Sequence, residues 1–69
     1  MIIALNGQST CLPDGACVAD AVTHAQQTLG LQPPFAVALN LQFVPRAQYA
    51  STALHDGDRL EIITPITGG

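Results

Sequence analysis

One stretch with helical periodicity, placed between segments that alternate apolar and polar residues, constrains the fold of this chain most. Apolar residues recur at helical spacing within this stretch, at Val18, Ala21, Val22, Ala25 and Leu29. Gly30 and the prolines that follow can end the helix, because Gly accepts a left-handed conformation and Pro cannot continue a helix. A single helix among several strands has to cover one face of a sheet, which is the arrangement of an α+β roll.

Extended segments are predicted on both sides of the helix, at residues 1–6, 9–12, 35–40, 43–44 and 59–66. The Asn-Gly pair after the first of them is typical of a tight turn between antiparallel strands. A right-handed crossover through the helix would make the first and last strands central neighbours. We therefore predict a mixed sheet of about four to five strands packed on one main helix. The domain would comprise residues 1–66, with residues 67–69 as a flexible tail.

The low content of charged residues predicts exposed apolar surface. Charged residues make up 10% of the chain, compared with about 25% in typical globular domains, and exposed apolar patches are often interfaces. The net charge of −3, with two arginines, no lysine and three aromatic residues, does not suit binding to nucleic acid. The apolar start of the chain is too short to span a membrane. We expect a cytoplasmic protein that binds neither nucleic acid nor membrane.

Small and apolar residues occupy the sheet face that the helix does not cover. Glu61 and Ile63 lie two residues apart on the same strand and therefore point to the same face. Because a charged residue favours the solvent side, this supports placing Ile63 on the outside of the sheet. The exposed face of such a sheet is usually polar, so we predict that this apolar outer face docks a partner protein. The alternative is that short strands carry stray alanines, and a shift of register by one residue would invert the assignment. The outer face consists of Ile2, Ala4, Ala36, Ala38 and Ile63.

The reactive side chains form no recognisable catalytic or metal-binding motif. Cys11 and Cys17 are expected to be small buried thiols, since two cysteines cannot supply a disulfide framework or a four-ligand metal site. His24 and His55 lie far apart in sequence and are expected to be solvated. Aspartates in turn-rich segments favour backbone hydrogen bonding, and these are Asp14, Asp56 and Asp58. We expect a protein without catalytic residues, metal or cofactor of its own, on which another enzyme acts.

The sequence ends in two glycines, Gly68 and Gly69. Residues without a side chain can enter a narrow channel and adopt backbone angles closed to other residues. A carboxylate in that position becomes reactive after attack on the α-phosphate of ATP, which gives an acyl-adenylate that a nucleophile can displace. The enzyme that does this would have to be a partner. The alternative is an ordinary frayed terminus.

Four short motifs within a small β-grasp pattern resemble those of the ThiS-like sulfur carrier family of thiamin biosynthesis, and the resemblance covers essentially the whole chain. They are Asn40, Val44-Pro45-Arg46, Asp56-Gly57-Asp58 and Gly68-Gly69. The resemblance implies a ubiquitin-like β-grasp fold and a partner that resembles ubiquitin-activating enzymes and uses ATP to adenylate Gly69. A cysteine-derived persulfide would then convert Gly69 to a thiocarboxylate, which would give its sulfur to thiazole synthase. Gly68 would be its flexible neighbour, and no catalytic role follows for Arg46.

The start of the helix departs from the family pattern, because Cys17 stands where similar carriers often have Ser or Thr. A thiol is a poor N-cap, and we therefore predict that Asp14 caps the helix instead.

Other functions remain open on these residues. A carrier of the same kind could deliver sulfur to molybdopterin, cysteine or another acceptor, because fold and tail do not identify the acceptor. The chain could also be a ubiquitin-like protein modifier, or a β-grasp interaction module whose terminal glycines are accidental. The absence of lysine disfavours only a modifier that builds lysine-linked chains on itself.

Overall fold

The computed structural model describes residues 1–64, which form one mixed sheet with one α-helix. The sheet has five strands in the order β2-β1-β5-β3-β4. β1 and β5 are parallel central neighbours, and the other pairs are antiparallel. The predicted sheet, helix and central strand pair are therefore confirmed. The elements are β1 (Ile2–Leu5), β2 (Gln8–Cys11), α1 (Val18–Leu29), β3 (Ala36–Leu39), β4 (Gln42–Val44), a 3₁₀ turn (Arg46–Gln48) and β5 (Arg59–Ile63).

The core lies between the sheet and α1, with the predicted parity. Ile3 and Leu5 of β1 and Leu60 and Ile62 of β5 are buried, while their neighbours along each strand are not. Four helix positions face these side chains and are also buried, namely Val18, Ala21, Val22 and Ala25. Leu29 shares the helical spacing of these four residues but does not belong to the core, since it is 42% exposed. The buried part of the helix ends at Ala25, so the last turn lies beyond the core.

Two hairpins use left-handed residues at both turn positions. Asn6 and Gly7 have φ values of 50° and 80° and connect β1 to β2, as the Asn-Gly pair predicts. Asn40 and Leu41 have φ values of 50° and 70° and connect β3 to β4. The turn itself agrees with the predicted strands 35–40 and 43–44, but a left-handed leucine is unexpected, because leucine is an uncommon residue in that region.

The start of α1 is capped differently from the prediction. Cys17 is the N-cap residue. The backbone N–H and the Sγ–H of Cys17 both donate to Oδ2 of Asp20, at 2.9 Å and 3.3 Å. These bonds, the backbone one first, hold the pKa of the Asp20 carboxyl below its ordinary value. Asp14 instead pairs with the N-terminal ammonium of Met1 at 3.2 Å. A carboxylate in the first helical turn can fold back to the N-cap amide, and Asp14 precedes that turn.

Within residues 1–64, no helix is both long and apolar enough to cross a membrane.

Candidate functional site

The outer face divides into two parts. On β3 and β5, Ala36 is directly opposite Ile63, and Ala38 is opposite Glu61. Ile63 is 56% exposed and lines a surface depression of about 270 Å³ together with Pro34, Phe35 and Ala36. This apolar surface lies at the end of β5, where the chain leaves the sheet toward its C-terminal residues.

The other part of the outer face lies at the opposite end of the strands. Ala4 is in register with Arg59 on β5 and Ser9 on β2, and Ile2 is 54% exposed. Because Ile2 precedes Ala4 and Ile63 follows Arg59, the two isoleucines are separated by about 20 Å along the strands. The structure therefore places all five predicted residues outside the core but does not join them into one patch. Docking at these residues remains a prediction.

Sequence reasoning missed three exposed side chains next to these positions. Phe43 of β4 is opposite Ala38 and 70% exposed, and Leu41 in the preceding turn is 80% exposed. Cys11 of β2 is opposite Ile2. Alternation along the short strand β4 could have identified Phe43, since its neighbour Val44 is buried and successive side chains point to opposite faces.

The expectation of two buried thiols is wrong. Cys11 is exposed and Cys17 is half-buried, because β2 is an edge strand whose outward positions are not covered and Cys17 lies at a helix terminus. His55 is exposed as expected, with Nδ1 at 3.8 Å from Oδ2 of Asp58, whereas His24 is half-buried. No group of three or more His, Cys, Asp or Glu side chains suited to a metal ion occurs within residues 1–64.

The internal family-like motifs have structural roles in the fold. Val44 is buried in the core, and Pro45 immediately precedes the 3₁₀ turn. The two turn aspartates bond to backbone amides as predicted: Oδ1 of Asp56 accepts from the N–H of Ile2, and Oδ2 of Asp58 accepts from the N–H of His55, each at 2.7 Å. These contacts secure the turn that leads into β5.

Two asparagine side chains hold the backbone of β5 from opposite sides. Asn40 lies next to the first residue of the strand, where its Oδ1 accepts from the N–H of Arg59 at 2.9 Å. Asn6 lies near the last residues, where its Oδ1 accepts from the N–H of Ile62 at 2.7 Å and its Nδ2 donates to the Ile62 carbonyl at 3.2 Å. Both ends of the strand that precedes the C-terminal residues are therefore bonded. The predicted attachment site Gly69 and its neighbour Gly68 lie outside the described residues.

Comparison with known proteins connects this arrangement to a family. The model of the ThiS family matches residues 2–69. The crystal structure of a thiamine biosynthesis protein (ThiS) from Geobacter metallireducens superposes with a TM-score of 0.72 at 23% identity, covering 100% of both chains. At that identity, the superposition shows the shared ubiquitin-like β-grasp fold.

A second relative is much longer than this chain. A thiazole synthase from Paramagnetospirillum magneticum is 53% identical over 34 residues, which are 49% of this chain and 10% of that protein. The match therefore covers about a tenth of that protein's length. Since the family model extends over nearly the whole sequence, including both terminal glycines, the chain belongs to the ThiS family.

Proposed function

We propose that this chain is a sulfur carrier for the thiazole ring of thiamin, and that Gly69 bears the sulfur. The observation that carries the proposal is the ThiS family match, which extends from residue 2 through Gly69. The β-grasp fold agrees with it, because it presents the C-terminal residues directly after a central strand that is bonded on both sides.

The first step is activation of the carboxylate by a partner that resembles ubiquitin-activating enzymes. A carboxylate oxygen of Gly69 attacks the α-phosphorus of ATP, a new P–O bond forms, and pyrophosphate leaves with the electrons of the bond that breaks. Gly68 and Gly69 suit this step because neither has a Cβ that would obstruct a narrow channel. The chain supplies the carboxylate, and the partner supplies the catalytic groups and binds ATP.

The second step exchanges oxygen for sulfur. The terminal sulfur of a cysteine-derived persulfide attacks the acyl carbon, and AMP leaves. A second thiol then reduces the resulting S–S bond, which releases the thiocarboxylate and leaves a disulfide on the donor side. Thiazole synthase is the proposed acceptor. The stretch of 34 residues shared with a thiazole synthase supports that choice, because that protein contains a segment similar to this chain.

The outer face is the proposed docking surface for these partners. Its part near the end of β5, formed by Ala36, Ala38 and Ile63, lies next to the exit of the C-terminal residues. A partner that contacts this part can reach Gly69 at the same time. Exposed Phe43 extends the same apolar surface across β3.

Related functions would use the same chemistry with different acceptors. A carrier for molybdopterin or cysteine synthesis shares the activation step, and a ubiquitin-like modifier shares the adenylate but ends in protein conjugates. The thiazole synthase match favours thiazole over these alternatives.

The intact mass of the protein tests the proposal. The full chain and a variant without Gly69 are incubated with an extract of the host, ATP and cysteine, and both are analysed by mass spectrometry. We expect a mass gain equal to the difference between sulfur and oxygen in the full chain and none in the variant. A ladder of heavier conjugates would indicate a modifier, and an unchanged mass without conjugates would overturn the carrier function. Transfer of the sulfur to purified thiazole synthase then tests the acceptor.

A further inference from the structure

The side chain of Asn6 makes hydrogen bonds outside the turn in which its backbone lies. Its backbone forms the first residue of the β1–β2 turn, with φ of 50°, while its side-chain amide bonds both the N–H and the carbonyl of Ile62. The two residues are 56 positions apart in sequence, and both bonds are partly buried. The amide of Asn6 therefore belongs to the sheet as well as to the turn.

These bonds continue the parallel ladder beyond the end of β1. The N–H of Ala4 donates to the carbonyl of Asp58, and the N–H of Asn6 donates to the carbonyl of Leu60, each at 2.9 Å. In a regular parallel ladder, the next donor to the Ile62 carbonyl would be the amide two residues further along β1. That amide belongs to Gln8, which has turned back to pair with Leu5. The side chain of Asn6 takes its place.

The other edge of β5, which faces β3, is also paired at Ile62 and Ile63. β3 pairs with β5 through Val37 opposite Ile62 and Ala36 opposite Ile63. The amide of Asn6 thus completes a two-sided attachment at the last residues of the sheet before the chain leaves it. Seven residues follow Ile62 in the sequence, and an extended segment of that length reaches at most about 25 Å.

We propose that Asn6 is a positioning residue for the reaction of the C-terminal carboxylate. By holding Ile62 it sets the point and direction from which the last seven residues reach the active site of the activating enzyme. This inference rests on the proposed function, in which Gly69 attacks ATP. Attack geometry is sensitive to small displacements, and a misplacement of about 1 Å can reduce a rate by about a hundredfold.

Asn40 provides a matched control. It has the same φ of 50° in a turn of the same kind. Its side chain also makes two bonds, accepting from the N–H of Arg59 at the first residue of β5 and donating to Oδ1 of Asp58 just before the strand. These bonds lie at the beginning of the strand, away from its C-terminal end. Replacing either asparagine by glycine keeps a residue that accepts positive φ and removes only the side-chain bonds.

The experiment compares Asn6→Gly, Asn40→Gly and the unsubstituted chain as substrates of the adenylating enzyme, with pyrophosphate release as the readout. For Asn6→Gly we expect kcat to fall by about tenfold while KM changes by less than about twofold, since the outer face is intact. Asn40→Gly should keep kcat within about twofold. Amide hydrogen exchange at Ile62 should accelerate in Asn6→Gly alone, at a protein concentration and temperature where all three chains are folded.

The possible outcomes separate the two proposals. Absence of adenylation of the unsubstituted chain overturns the proposed function, and the positioning role with it. Normal adenylation of that chain, together with an unchanged kcat for Asn6→Gly, overturns the positioning role alone. An equal loss of kcat in both variants also overturns it, because the effect would then follow from general loosening of β5.

If Asn6→Gly does not fold, Asn6→Asp takes its place in the adenylation experiment. Aspartate also tolerates positive φ and can accept the Ile62 N–H, but it faces the Ile62 carbonyl with an oxygen instead of a donor. We expect its kcat to lie between those of the unsubstituted chain and Asn6→Gly, and a kcat equal to that of the unsubstituted chain would contradict the role of the Nδ2 bond.

Discussion

At the scale of single residues, the start of α1 shows how the side chain of the third helical residue can bond back to the N-cap residue. Cys17 occupies the N-cap position, and Asp20 supplies the acceptor that its amide needs. The negative carboxylate is also favourable near the positive end of the helix dipole. A poor capping residue is therefore tolerated because the third helical residue is an aspartate.

This contact predicts a pH dependence. The folded-state pKa of Asp20 is lowered, first by the Cys17 backbone N–H and then by its thiol. The ionised carboxylate therefore stabilises the fold above pH of about 4, the ordinary pKa of aspartate, and this contribution is lost as the pH falls through the folded-state pKa. We expect an NMR titration of Asp20 to give a pKa below the ordinary value.

Cys17→Ala separates the two causes of that shift. The variant keeps the backbone N–H and removes the thiol, so the pKa of Asp20 should rise but stay below the ordinary value. A return to the ordinary pKa in this variant would show that the thiol, and not the amide, is the dominant partner.

Leu41 predicts a stabilising substitution. A leucine with φ of 70° bears a steric cost of about 1–2 kcal/mol, and at 80% exposure its side chain gains little from packing. Leu41→Gly should therefore raise the free energy of unfolding by up to about 1 kcal/mol, measured by urea denaturation. Gln42→Gly in the adjoining strand is the control and should lower stability by about 0.5–1 kcal/mol. A loss of stability in Leu41→Gly would mean that the side chain packs more than its exposure indicates.

At the scale of elements, apolar residues with core spacing are buried in the central strand but partly exposed at the end of the helix. Leu60 on the central strand is 0% exposed, whereas Leu29 in the last helical turn is 42% exposed. Both have the spacing of core residues within their own elements. The two leucines differ in burial because β5 lies at the centre of the sheet, whereas the last turn of α1 extends past the core.

The two leucines therefore provide a matched pair. Leu60→Ala should reduce the free energy of unfolding by about 2–5 kcal/mol, because it leaves a cavity in the core. Leu29→Ala should change it by less than about 1 kcal/mol, since exposed positions rarely contribute more. Thermal or urea unfolding measures both, and a large loss for Leu29→Ala would indicate that the last turn of α1 packs on the core in solution.

At the scale of the whole molecule, most internal motifs serve the final strand. Asp56 and Asp58 bond the turn before β5, Asn40 bonds its first residue, and Asn6 bonds its end. β5 lies at the centre of the five-stranded sheet. This arrangement suits the proposed function, in which the C-terminal carboxylate reacts in another enzyme, because the body of the fold holds the strand from which the C-terminal residues continue.

The short reach of the terminal segment predicts where a partner binds. The apolar surface at Ile63 lies at its base, and Ile2 lies about 20 Å away along the strands. Ile63→Asp should weaken binding to the adenylating enzyme by about tenfold or more, as loss of a central apolar contact does. Ile2→Asp should weaken it by less than about threefold. Titration calorimetry measures both affinities, with the free energy of unfolding as a control, and equal effects would extend the docking surface over the whole outer face.

Local patterns in the sequence were enough to predict the elements and the family. Periodicity located α1, the alternating strands and their buried sides, because local spacing decides which side chains can share one face. The Asn-Gly turn and the Gly30 helix end followed from backbone freedom that few residues have. The four motifs together resembled those of the ThiS family, and the family model that matches residues 2–69 confirms the resemblance.

The way in which distant segments meet depends on the folded sheet. Folding divides the outer face into two parts and exposes Cys11 and Leu29. It also brings Asn6 to Ile62 across 56 positions. These results depend on strand register, on how far each element extends past its neighbours, and on which backbone groups lack a partner at a sheet end. Local sequence patterns contain none of that information, because each of these contacts joins segments that only the folded sheet brings together.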